Sequence, residues 1–168
     1  MPDLPRIRFA GTVYRALNPV WHKQPLSGEG ARLGGGRFNK KGRPALYTAC
    51  DVQTALAEVG RVGRPLQPTT LVSYAIDMAD IFDATDPLAL QAAGTTAAAL
   101  AAPDWRIVAL KTGAAPVQMF SETLIAHGFR GMIASSYAPS AQPSARNLVL
   151  WDWSDGLTLH DEEGRLNP

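Results

Sequence analysis

The chain has 168 residues, of which 46% are hydrophobic and 18% charged, with a formal net charge of +1. This fits one globular domain with a substantial core. No run approaches the ~18 apolar residues of a membrane-spanning helix, and no membrane association is expected. A single cysteine, Cys50, excludes an internal disulfide and a cysteine-rich zinc site. His22, His127 and His160 lie too far apart in sequence to suggest metal ligands, so no metal is expected. The start, Met1-Pro2-Asp3-Leu4-Pro5-Arg6, lacks a basic-then-apolar leader, and a cytoplasmic location is expected.

In chain order, Phe9–Leu17 reads as a first strand with Arg15 near its end. Residues 19–36 read as a long loop, with Pro25, Gly28, Gly30 and the run Gly34-Gly35-Gly36. Residues 44–49 form a short strand. Asp51 is placed to cap a helix from Val52 to about Arg61, with Val52, Ala55, Leu56 and Val59 as its apolar stripe and Glu58 at the stripe's margin. Residues 69–77 are strand-like, and 88–102 helical with a break at Gly94. Pro116 opens a helix that reaches His127 and is closed by Gly128, with Val117, Phe120, Thr123 and Leu124 as its buried face. Residues 129–135 and 147–153 read as two more strands, joined by a Ser/Pro/Ala loop over 136–146, and the last ten or so residues are expected to fray. Strands and helices mix without a regular βαβ repeat, so the expected class is α+β, a single domain over 1–168 with its core at about 9–153.

Charge is unevenly spread. Residues 1–65 hold 11 Lys and Arg against 4 Asp and Glu; residues 66–168 hold 5 against 11. A basic first half points to an anion site, or to two halves that attract each other, while the acidic remainder argues against direct nucleic-acid binding. The common phosphate motifs are absent. No G-x-x-x-x-G-K-[ST] occurs, and Gly28-Glu29-Gly30 is followed by Leu33 where a dinucleotide fingerprint needs glycine.

The segment from Gly34 to Glu58 nonetheless delivers cations, an aromatic ring and a carboxylate within about two dozen residues. Arg37 can grip a pyrophosphate or sit solvated in a turn. Tyr47 can stack on a ring or pack in the core. Glu58 can stabilise a cationic sugar transition state or pair with Arg61 or Arg64. Ser135, Ser136, Ser140 and Ser144 lack a Gly-x-Ser-x-Gly elbow, so a serine nucleophile is poorly supported.

Together these pieces resemble the RES-domain family, and within it the ParT-type toxins. The resemblance rests on Val13-Tyr14-Arg15, Gly36-Arg37-Phe38-Asn39 with Gly42, Leu46-Tyr47-Thr48, Ala55-Leu56-Ala57-Glu58, Gly131 to Ser136 and Asn147 to Trp151. Phe38 stands where many members carry tryptophan. The resemblance implies a fold similar to diphtheria-toxin-like ADP-ribosyltransferases, NAD⁺ as substrate, no metal, and the toxin role in a bacterial toxin–antitoxin pair. The partner it implies is an antitoxin with a helix-turn-helix DNA-binding domain. Carried over by residue, Glu58 is the catalytic carboxylate, with Arg37 and Tyr47 beside it. Arg15 and Arg37 hold the dinucleotide, Tyr47 lies by the nicotinamide, and Asn147 and Ser136, with Ser135 as its rival, complete the binding site. ParT-type members imply ADP-ribose transfer to a protein, phosphoribosyl pyrophosphate synthetase. NAD⁺ hydrolysis or phosphorolysis is the alternative, and a non-catalytic polyanion binder a further one.

Overall fold

The computed structural model describes residues 3–60 and 62–166. Among these residues six strands and six α-helices occur in the order β1 (Ile7–Leu17), α1 (Glu29–Gly34), β2 (Leu46–Ala49), α2 (Val52–Val59), β3 (Thr70–Asp83), α3 (Pro87–Ala92), α4 (Ala97–Leu100), α5 (Trp105–Thr112), α6 (Pro116–Ala126), β4 (Gly131–Ser135), β5 (Arg146–Leu150) and β6 (Leu157–Leu159). The architecture is a mixed α+β domain around a small β-barrel. Strand order is β1-β2-β5-β4-β3-β6, and the additional β1–β3 pairing closes the first five strands into a ring. All pairings are antiparallel except β3–β4.

Closure depends on β3, which serves two partners. It pairs with β1 from Thr70 to Met78, then with both Ile7 of β1 and Gly131 of β4 at Ile81. The switch falls at Asp80, whose φ of 60° is left-handed, a conformation aspartate tolerates better than branched residues. Gly131 fits the crowded seam because an added Cβ would lie 2.6 Å from the Val149 carbonyl.

The period-2 pattern divides the apolar residues between two cores. Val72, Tyr74, Ile76 and Met78 of β3 point into the barrel with Val13, Leu46, Leu148 and Leu150. The alternate residues Val149 and Tyr47 face outward, onto a layer formed with Phe38, Phe82, Leu100, Val117 and Leu124. Sequence alternation therefore decides that Tyr47 lies on the helix-covered face and not inside the barrel.

Several expected elements need correction. The loop over 19–36 contains a 3-10 turn, Pro19–Trp21, and α1. The third strand runs six residues beyond Asp77, because pairing with β4 extends it. Helix α5 was not expected: its pattern is weak and none of its residues is fully buried. Residues 157–159, near the end expected to fray, form β6 against β3. Asp51 caps α2 as expected, its carboxylate accepting from the Thr54 amide at 2.7 Å, and the helix ends at Val59. The expected terminus at Arg61 lies outside the described residues. On α6 the buried residues are Val117, Gln118, Ser121 and Leu124, not Thr123, and Phe120 is half-buried with its ring edge-on to Phe82 at 5.8 Å. No described helix is long and apolar enough to cross a membrane.

Helix α6 is tied to the loop before β2 by Arg43, whose Nε and Nη2 donate to Glu122 at 3.0 and 2.8 Å, with Lys40 at 3.8 Å. The Arg43 guanidinium holds the Glu122 carboxyl below the usual carboxylate range. The pair's stabilisation is present above the unfolded carboxyl's pKa of about 4.3 and fades as pH falls through the lower folded value. Glu122→Gln should cost about 1 kcal/mol at pH 7, a screened value because Arg43 is partly exposed. The cost should shrink in chemical denaturation as pH falls below the ordinary carboxylate range; an equal difference at neutral and acidic pH would count against the pair.

Candidate active site

A cleft of about 560 Å³ opens on the outer face of β2 and β5. A smaller hollow of about 240 Å³ adjoins it, and Arg15, Tyr47, Glu58 and Asn147 line both. One wall is the loop from Gly36 to Arg43, whose buried polar groups are satisfied by side chains. Asn39 is fully buried. Its Nδ2 donates to the carbonyls of Ala31 at 2.8 Å and Arg43 at 2.9 Å, and its Oδ1 accepts from the Tyr47 hydroxyl at 2.6 Å. The same hydroxyl accepts from the Phe38 amide at 3.0 Å. Gln118 donates to the carbonyls of Gly36 and Asn39, and the Trp151 indole N–H to that of Phe38. Gly36 is required here, because an added Cβ would overlap the Tyr47 hydroxyl and lie 2.7 Å from Asn39 Oδ1.

This frame aims Arg37 into the cleft. Its Nη1 donates to the carbonyls of Leu100 at 3.0 Å and Ala102 at 2.9 Å, and its guanidinium lies 4.4 Å from the Tyr137 ring centroid. Burial pulls its pKa down; Tyr137 opposes this and the neighbouring charge of Arg106 adds to it. Arginine stays charged throughout the physiological range, so the site carries a partly desolvated cation. Arg15 projects from β1, its Nη1 held by the carbonyls of Pro25 at 3.2 Å and Ser27 at 3.4 Å. Neither arginine forms an ion pair among the described residues, whereas Arg6, Arg8, Arg32, Arg43, Arg130 and Arg165 each do.

Glu58, in the last turn of α2, faces this cationic wall. Its Oε1 accepts from Asn147 Nδ2 at 2.6 Å and from the Ser136 hydroxyl. The carboxylate is exposed to the cleft, and two neutral donors on one oxygen leave the other free. No ion pair with Arg64 forms, and Arg61 lies outside the described residues. Ser135 lies one place earlier on β4, paired with Arg146, and makes no such contact. The geometry thus distinguishes the two serines: only Ser136 reaches Glu58.

The Tyr47 hydroxyl is committed to the loop, and burial pushes the phenol's pKa up, so it remains a protonated donor to Asn39. Its ring lines the cleft. Asn147, assigned from sequence to the ligand, lines the cleft and donates its Nδ2 to Glu58, while its Oδ1 is buried without a partner among the described residues. Sequence reasoning missed Trp105, Arg106 and Tyr137, which also line the cleft. The Asp104-Trp105-Arg106 start of α5 gave no periodic signal, and Tyr137 sits in a loop read only for its serines. The three histidines do not converge: His22 and His127 meet backbone carbonyls of their own turns, and His160 meets Ser73.

The cleft thus sets arginines without ion pairs opposite a carboxylate on two neutral donors, beside a closed barrel. The model of the RES domain matches residues 12–165, and the chain belongs to that family. It is 29% identical over 153 residues to MbcT of Mycobacterium tuberculosis and of Mycobacterium bovis, proteins named NAD(+) phosphorylase; the match covers 84% of this chain and 81% of theirs. The structure also superposes on a chain of the M. tuberculosis MbcT–MbcA toxin–antitoxin complex with a TM-score of 0.66 at 24% identity, over 93% of this chain and 84% of that one. This last likeness is one of fold.

Asn39→Ala should lower unfolding stability by about 2–4 kcal/mol, because buried carbonyls and the Tyr47 hydroxyl lose their partner together. Asn39→Asp should do no better, since a carboxylate cannot donate to those carbonyls. A thermal midpoint within a degree of wild type for either variant would show that Asn39 does not hold the loop.

Proposed function

We propose that this protein is an NAD⁺-degrading enzyme that cleaves the nicotinamide–ribose bond with inorganic phosphate as acceptor. We further propose that it acts in the cytoplasm as a toxin held in check by a cognate antitoxin bearing a helix-turn-helix domain. The observation that carries the reading is the Glu58 carboxylate, held by Ser136 and Asn147 where the two hollows meet and facing Arg15 and Arg37. Family membership and the name of the mycobacterial relatives supply the substrate class. The likeness to diphtheria-toxin-like ADP-ribosyltransferases belongs with this proposal and rests on the sequence resemblance, as does the reading of the whole chain as one RES-type domain.

In the reaction the C1″–N bond of NAD⁺ breaks. Its electron pair stays on the nicotinamide nitrogen, so a pyridinium leaves as a neutral ring. Positive charge develops on the ribose, where the free oxygen of Glu58 stabilises it or binds a ribose hydroxyl. A phosphate oxygen forms the new bond to C1″, giving ADP-ribose-1″-phosphate, and its proton passes to solvent. Arg15 and Arg37 neutralise the diphosphate and fix the dinucleotide. Ser136 and Asn147 orient Glu58. The Tyr47 ring forms a side of the nicotinamide pocket, and Ser135 drops to a strand position.

Transfer to a protein, the leading expectation from sequence, becomes the second reading, because the relatives' name favours phosphorolysis. With phosphoribosyl pyrophosphate synthetase as acceptor it would add one ADP-ribose to that enzyme's mass. Hydrolysis would release ADP-ribose without phosphate.

Incubation with NAD⁺ and phosphate should release nicotinamide and ADP-ribose-1″-phosphate in equal amounts. Glu58→Gln should slow release at least about a hundredfold while leaving the fold intact. A folded variant that works at the wild-type rate would remove Glu58 from the mechanism. Ser136→Ala should slow turnover about tenfold and Ser135→Ala leave it near wild type; the reverse order would overturn the assignment of the serines.

A further inference from the structure

Helix α5 places a third arginine in the cleft that the sequence did not single out. Arg106 is exposed, lines the cleft, and has no ion-pair or hydrogen-bond partner among the described residues. Its guanidinium lies 4.9 Å from the Trp105 ring centroid, and that of Arg37 lies 5.8 Å from the same ring. Two like charges thus meet at one indole and repel each other, with no carboxylate between them. An anion bound between them would turn that repulsion into attraction to both. The two cations are not equivalent. Arg37 spends Nη1 on two backbone carbonyls, which fixes it and leaves Nε and Nη2 without a protein partner among the described residues. Arg106 keeps its whole fork, on an exposed side chain.

We propose that Arg106 and Arg37, gathered at Trp105, form a phosphoryl-binding subsite distinct from the Glu58 end of the cleft, with Arg106 determining affinity for the phosphate group. Arg37 is the preformed half of the subsite and Arg106 closes on the ligand's remaining oxygens. The shared chemistry is a phosphate bearing at least one negative charge. Two sources fit it: the diphosphate of the dinucleotide, and the free phosphate that takes up the ribose. Both sources rest on the proposed reaction, whereas binding of a phosphate group by the two arginines does not.

Arg106→Ala should melt as wild type does, since the side chain holds nothing in place. Calorimetry with ADP and with inorganic phosphate, and the KM values for NAD⁺ and for phosphate measured separately, then read the subsite. A rise of about five- to tenfold in the ADP dissociation constant and NAD⁺ KM, with phosphate KM unchanged, assigns the subsite to the diphosphate. A rise confined to phosphate assigns it to the co-substrate. In either case the salt dependence of the affected constant should flatten, and Arg106→Lys should restore only part of the affinity, because lysine keeps the charge but not the fork. Unchanged constants for both ligands would overturn the proposal. If the wild-type protein does not turn over NAD⁺, the proposed reaction falls, and the ADP and phosphate titrations alone decide the subsite.

Discussion

The buried amide of Asn39 is the constraint on which the cleft depends. A loop that carries Arg37 across the outer face of the barrel brings carbonyls away from water. Each needs a donor, and an unmet one costs as much as a lost hydrogen bond. One Asn39 side chain supplies donors to residues 31 and 43 and an acceptor to Tyr47, so three segments of the chain are fastened at one point. Gln118 and Trp151 tie the same loop to α6 and to the end of β5. The small size of Gly36 follows, since the network leaves no room for a Cβ.

That rigidity matters because the cleft's charges are left uncompensated. Elsewhere six of the described arginines are matched with acids, as Arg43 is with Glu122 or Arg8 with Asp77. In the cleft, Arg15 and Arg37 are held through backbone carbonyls, which orient a guanidinium without neutralising it. Tyr137 adds an aromatic face with the same effect. The acid that is present, Glu58, accepts from two neutral donors rather than from a cation. Positive wall and negative point are thus kept apart across the cleft.

Much of this was legible along the chain. Apolar runs in β3 and β5, the Asp51 cap of α2 and the Pro116–Gly128 bounds of α6 are local signals, and β5, α2 and α6 formed within a few residues of their expected places, while β3 ran on to Asp83. The glycine run and the basic residues marked the loop. Helix α5 was not legible, because its contacts are partial and its stripe indistinct. Nor was the burial of Gln118, since a polar residue on an apolar face has no local signature until its acceptors on another segment are known. Trp105, Arg106 and Tyr137 escaped notice for the same reason.

The α+β class, five of the six strands and the family to which the chain belongs were set by the sequence alone, because apolar runs, caps and short motifs are properties of neighbouring residues. Only the tertiary structure decided that β1 and β3 close a barrel, that Ser136 rather than Ser135 meets Glu58, that Asn147 serves Glu58, and that Arg106 joins Arg37. Those facts depend on strand register and on segments 60 to 90 residues apart meeting. A one-residue change of register would exchange the two serines between faces while leaving the composition of the loop unchanged.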